Sequence, residues 1–222
     1  RVSYGVTGNL PSGNGLSQEV RGFGWAGGGT SGGTTSLVRA ANPDLKWEEK
    51  SETNFGIDLN TDRLTASLDL YSQTSKDFIL ERQVDATVYG FDRRWENAGQ
   101  VTSKGVELAV NYDLIQNDGL TYNTGIVWST NQTVLDEYVS EQERFANLGA
   151  PGQNDTYAIR VKVGEEIGQI YAPVWDGTVA NGSQNFQDVN GDGVINTNQA
   201  NMLNDDADFA VVGRGTPDFE LG

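Results

Sequence analysis

Asp188, Asn190 and Asp192 stand at alternate positions of the string DVNGDGVIN, residues 188–196, and oxygen-bearing side chains so spaced can wrap a hard cation. Gly193 at the sixth position permits the sharp turn that such a loop needs. Val194 offers a backbone carbonyl at the seventh, Ile195 is apolar at the eighth, and Asn196 supplies the ninth directly or through water. This is the start of an EF-hand-like calcium loop. Position twelve is Gln199 instead of the bidentate Glu, and no flanking helices are evident, so the expected affinity is roughly millimolar, as in extracellular modules, or lower. Asp205, Asp206 and Asp208 lie downstream as candidates to complete the shell. The same residues also compose an Asn-Gly-Asp-Gly turn whose side chains cap their own backbone, and both readings stand at this point.

Little other chemistry is available. Cysteine and histidine are absent, which removes Ser-His-Asp and Cys-His catalysis, disulfides and the usual zinc and iron sites. Only carboxylate catalysis or oxygen-ligated metals remain, and with 31 acidic residues scattered along the chain no pair stands out. No catalytic residue is assigned and no enzyme is expected. The formal net charge of -16 opposes a phosphate backbone and argues against nucleic acid as a partner. It suits carbohydrate or cation traffic as well as plain solubility. Trp25, Phe91, Trp95 and Trp175 fall in expected loops, where rings can stack on sugars, pack the loop or meet a partner.

The elements that would position these residues read as antiparallel β-structure. Thr53, Phe55, Ile57 and Leu59 alternate with polar neighbours, as do Leu64, Ala66, Leu68 and Leu70 after the turn at Thr61, Asp62 and Arg63. A second pair runs through Val106, Leu108, Val110, Tyr112 and Leu114, turns at residues 116–119, and returns through Leu120, Tyr122, Thr124, Ile126 and Trp128. Each strand is expected to run roughly nine or ten residues, beyond the ~5–6 usual in globular sheets and suited to a tilted bilayer crossing. Short turns near Thr61 and Asn117, against a long link from Thr74 to Val101, match the alternation of an outer-membrane barrel. A soluble β-sandwich with both faces covered would show the same periodicity. Residues 22–33 are rich in glycine and are expected to be a mobile loop. Further strand is expected within 165–177.

Hydrophobic content is 36% and mean hydropathy -0.48, and the sequence holds no apolar run long enough for a membrane helix, though a barrel needs none. Arg1 begins inside strand-like sequence, and Phe219–Leu221 starts another strand at the other end. The chain is therefore expected to be a piece of a longer one.

Several strings resemble, in order and rough spacing, the signatures of SusC-like TonB-dependent transporters. They are YGVTGN at 4–9, NPDLKWE at 42–48, LYSQTSKDFIL at 70–80, NAGQVTSKGVEL at 97–108, VGEEIGQIY at 163–171, DVNGDGVIN at 188–196 and GTPDFELG at 215–222. The resemblance implies an all-β fold: residues 1–222 would be part of a large antiparallel transmembrane β-barrel with long extracellular loops, lacking the plug, the N-terminal strands and the last strands. It implies an outer-membrane importer of glycans or peptides in Bacteroidetes, partnered by a SusD-like surface lipoprotein and coupled to the TonB complex through absent N-terminal parts. Outer-membrane lipid would meet Phe55, Ile57, Leu68, Leu108 and Ile126; Tyr71 and Tyr112 would fit an interfacial aromatic girdle, and the ordinary strand preference of Tyr explains them equally well. No cofactor is required, with calcium as an optional structural ion. The alternative is a secreted calcium-dependent adhesion or carbohydrate-binding β-domain.

Overall fold

Alternating side chains favour extended backbone, and the computed structural model, which describes residues 1–9, 15–25, 33–139, 144–147, 157–180 and 182–222, is dominated by strands. In chain order these are β1 (Val2–Asn9), β2 (Val20–Trp25), β3 (Gly33–Ala40), β4 (Glu48–Asn60) and β5 (Leu64–Gln83), followed by a single helical turn, α1 (Ala86–Tyr89). Then come β6 (Arg93–Asn117), β7 (Leu120–Tyr138), β8 (Arg144–Asn147), β9 (Tyr157–Val161), β10 (Gln169–Ala172), β11 (Trp175–Ala180), β12 (Ser183–Phe186), β13 (Ala210–Arg214) and β14 (Glu220–Leu221). The main sheet has eight strands: the order β1-β4-β5-β6 continues through β7 to β14, while β3 and β2 join the far end of β6. A second sheet runs β13-β10-β9-β8, and β11 and β12 form a ribbon.

Register converts the alternation in sequence into one surface. Phe55 pairs with Leu70 and Leu70 with Val106; Ile57 pairs with Leu68, Leu68 with Leu108 and Leu108 with Trp128; Leu59 pairs with Ala66, Ala66 with Val110 and Val110 with Ile126. These transverse rows form a continuous apolar face, which Val2 extends through its pairing with Phe55. No described layer covers it: Ile57 and Ile126 remain 51% and 55% exposed. A sandwich would have buried them. From Val106 to Ile115 the band measures roughly 30 Å along β6 at ~3.3 Å per residue. At a tilt of about 35–45° that becomes about 21–25 Å of height, close to the lipid-facing band of an outer-membrane barrel.

The strands exceed the expected nine or ten residues: β4, β5, β6 and β7 have 13, 20, 25 and 19. The link expected over 74–101 shrinks accordingly to residues 84–92, and Phe78, Arg93, Arg94 and Trp95 lie in strands. Above the apolar band both faces of β5 and β6 are polar or mixed, so the period of two fades from the sequence although the backbone pairing continues to Gln83 and Arg93. A bulge at Asp77, whose φ is 55°, interrupts that pairing. Likewise Gly22–Trp25 belongs to β2, paired with β3 from Gly33 onward, instead of to a loop; residues 26–32 lie outside the described residues.

The connections sort by end. Turns 61–63 and 118–119 close one end, and the first is fastened by the Thr61 N–H donating to the Leu64 carbonyl at 2.8 Å. The connections from β1 to β4, from β5 to β6 and from β7 to β14 all depart from the other. The last excursion leaves after β7 and returns along the same strand. The Ile167 N–H donates to the Thr133 carbonyl (2.9 Å), the Gly164 N–H to the Leu135 carbonyl (2.7 Å), and β14 pairs with Trp128 and Ser129. Its apolar residues Val161 and Ile167 gather with Phe78, Leu80, Val101 and Leu135 around a cavity of about 440 Å³. The small buried core, including Ile79, Ala98, Leu135, Ala158 and Phe209, lies at this tall end and in the excursion.

Candidate functional site

The excursion positions the DVNGDGVIN loop between β12 and β13. Its side chains fold back on its own backbone. The Gly191 and Gly193 N–H groups donate to Asp188 Oδ1 and Oδ2 at 2.7 and 2.8 Å, the Asp192 N–H to Asn190 Oδ1 at 2.9 Å, and the Val194 N–H to Asp192 Oδ1 at 2.7 Å. Gly193 has φ +85°, a left-handed conformation that a side chain would strain. Asn190 Nδ2 donates to the Asp205 carbonyl at 3.1 Å, and Asn196 Nδ2 to Asp206 Oδ2 at 3.1 Å. Asp188, Asn190, Asp192, Val194 and Asn196 are thus brought into one loop, while Gln199 opens a short 3-10 helix, Gln199–Asn201, capped by Asn198. Among the described residues no group of three or more acidic side chains is arranged to hold a metal ion.

The organising residue of the loop is Asp208, which the sequence offered only as a downstream oxygen. Its carboxylate is fully enclosed. Oδ1 accepts from the Val189 N–H at 2.7 Å and Oδ2 from the Asn196 N–H at 2.7 Å, so one side chain ties both arms of the loop together. The Asn196 N–H is the largest influence holding its pKa below the ordinary 3.8; burial opposes it, and the Val189 and Asn190 N–H groups add to the lowering. A carboxyl whose folded pKa is depressed stabilises above the unfolded value and loses that contribution as pH falls through the folded one. The loop should therefore hold at neutral pH and loosen in acid below about pH 4. In Asp208→Ala, the Val189 and Asn196 amides should exchange with deuterium roughly tenfold faster or more at neutral pH, since a buried acceptor for both is gone. Unchanged exchange would show that the loop stands without it.

The polar face of the main sheet forms the second candidate surface. Gly56 pairs with Asp69, Asp69 with Glu107, Glu107 with Ser129, and Ser129 with Glu220, so one row carries three carboxylates. Arg1 answers two acids on this face, Asp69 by hydrogen bond and Asp58 at 3.4 Å. Tyr71 also lies here and not in an interfacial girdle: it sits in mid-strand, its ring so close over Gly105 that a Cβ there would meet Tyr71 Cζ at 2.5 Å. The parity that puts Leu70 on the apolar face puts Tyr71 opposite. Tyr112 does occupy the apolar face, beside the turn end of β6, paired with Leu64.

Of the four aromatic candidates, only Phe91 is in a loop, 6.0 Å from the Tyr89 ring. Trp25 closes β2; Trp95 is half-buried in β6; Trp175 opens β11 and donates its indole N–H to the Thr178 carbonyl at 2.8 Å.

Comparison with known proteins agrees with this architecture. Residues 1–214 match the family described as TonB dependent receptor-like, beta-barrel. The chain is 28% identical over its whole length to TonB-dependent receptor P3 of Formosa agariphila, of which it spans 23%. It is 24% identical over 74% of its length to TonB-dependent receptor SusC of Bacteroides thetaiotaomicron, covering 17% of that protein. In fold it is similar to a chain of the RagAB peptide transporter, with a TM-score of 0.73 at 20% identity, covering 100% of this chain and 24% of that one. The chain thus spans about a quarter of the length, or less, of the proteins it matches.

Proposed function

The chain belongs to the TonB-dependent receptor β-barrel family, and from that premise we propose that it supplies barrel wall and extracellular loops to an outer-membrane importer of glycans or peptides. The observation that carries this reading is the uncovered apolar face, continuous across β1 and β4 to β7, backed by an acidic polar face. The first face meets lipid and the second lines the lumen, while the strand pairing between them satisfies the backbone groups that a bilayer would leave without partners. A secreted adhesion domain would have to cover the apolar face, so the wall is the better reading.

The role of this portion is structural and non-catalytic. Cargo would be met by the excursion 139–219 and its neighbours at the tall end, beneath a SusD-like lipoprotein, while the TonB complex would act through N-terminal parts of the full-length receptor. The resemblance of the strings at 4–9, 42–48 and 97–108 to SusC-like transporters is what brings glycans into the reading; peptides enter from the name of the RagAB peptide transporter, which this chain is similar to in fold alone. Deleting the full-length receptor should abolish growth on one glycan or on peptides, and the tagged receptor should co-purify with a surface lipoprotein. Unaltered growth on both classes, with the receptor purifying alone, would contradict the proposal.

Calcium at the Asp188 loop belongs to the same proposal as a weak structural ion, supported by the alternation of Asp188, Asn190 and Asp192 before Gly193. Calcium at roughly 10 mM should then slow amide exchange across 188–196 in the full-length receptor, and no change at that concentration would remove the ion from the account.

A further inference from the structure

On the outward side of the wall, one row above the apolar band, Thr53 pairs with Ser72, Ser72 with Lys104, and Lys104 with Gln132. Four hydrogen-bonding side chains thus lie in line across four strands, a span of about 14 Å at the ordinary strand spacing. Their side chains make no hydrogen bond or ion pair with any described residue. The row directly beneath is Phe55, Leu70 and Val106, and the two rows line a shallow hollow of about 520 Å³. Lys104 is the one ionised side chain lining it. Asp136, an acid above this row on β7, is engaged by the Thr102 hydroxyl at 2.5 Å and by Gln100 Nε2 at 3.1 Å.

We infer that this hollow holds one phosphorylated membrane lipid, its phosphate against the Lys104 ammonium, its head oxygens on Thr53, Ser72 and Gln132, and its chains along Phe55, Leu70 and Val106. The inference rests on the wall reading proposed above. In a chain of net charge -16, an unpaired cation at the border of the apolar band is the complement of an anionic head. Lys can lay its stem along the apolar row while its ammonium stays at head-group level. The hydroxyls and the amide give the phosphate and ester oxygens partners that the dry row below cannot.

The test uses the full-length receptor in detergent, with native mass spectrometry counting retained lipid. The probes are phosphatidylglycerol and a diacylglycerol with the same chains. Lys104→Glu should lower retained phosphatidylglycerol at least about fivefold, because a lysine near an anionic head is worth ~1 kcal/mol. Lys104→Arg should restore it, and neither change should move diacylglycerol. Equal retention by the parent and Lys104→Glu would overturn the site, as would displacement of the lipid by inorganic phosphate. The same preparations separate the two failures. A receptor that migrates as a heat-modifiable, detergent-requiring barrel yet retains lipid equally removes only the lipid site, whereas one soluble without detergent removes the wall and the site together.

Discussion

Leu68→Arg is expected to destabilise the full-length barrel by about 2–4 kcal/mol, the cost of a cation at the bilayer midplane on a lipid-facing strand position. Leu68 stands in the row Ile57, Leu68, Leu108, Trp128, with apolar rows on either side, so an arginine there has no polar neighbour on its own face. Ser67→Arg, one residue earlier, should change stability by less than about 1 kcal/mol, because a shift of one position reverses the face and puts the cation near the carboxylates of the polar row. The folded fraction in lipid across a urea series, scored by heat-modifiable gel migration, separates the two. Equal losses at both positions would mean that neither face meets lipid.

Gly99→Ala should open the tall end of the wall. Gly99 has φ +155° at the place where β6 and β7 slip register, directly opposite Tyr138. A Cβ on Gly99 would run into the Glu137 carbonyl oxygen, with the carbonyl carbon at 2.6 Å and Tyr138 Cα at 2.9 Å. These are backbone atoms and cannot swing aside as a side chain can, so the expected cost is about 3 kcal/mol or more. The damage would fall on the 2.7 Å bond from the Val139 N–H to the Ala98 carbonyl, which fixes the point where the excursion departs. Faster exchange at Val139 and earlier proteolysis within 139–168 should follow. Gly119→Ala, in a turn where a Cβ would meet nothing within 4 Å, should leave both unchanged. Wild-type behaviour in Gly99→Ala would show that the register slip does not hold that end together.

The faces of the wall were legible in the sequence because lipid forces strict alternation wherever it touches a strand. Phe55, Ile57, Leu68, Leu108 and Ile126 could be placed together before any register was known. Above the band that constraint ends. Ser72 to Gln83 and Arg93 to Lys104 carry polar or mixed side chains on both faces, so nothing in their order announced that pairing continues past Asp77. Tyr71 was misplaced for a related reason: its aromatic type suggested the interface, although its parity already assigned it to the polar face. The Asp188 loop was recognised from local spacing. Asp208, however, acts from 19 and 12 positions away, and only folding brings its carboxylate to Val189 and Asn196. Strand character at Phe219–Leu221 was legible, and β14 forms there, but its partner was not: two paired residues leave no period from which to read the pairing with Trp128 and Ser129 of β7.

The most direct test of a membrane-spanning wall is a nitroxide scan of residues 54–59 in the full-length receptor, reconstituted in lipid vesicles. The described chain contains no cysteine of its own, so each label site is unambiguous once any cysteines elsewhere in the receptor are replaced. The account predicts an alternation of period two: labels at 55, 57 and 59 relax with oxygen, which partitions into the bilayer, and labels at 54, 56 and 58 relax with a water-soluble nickel reagent. Labels that respond to the nickel reagent at every position, or to neither reagent at 55, 57 and 59, would contradict it.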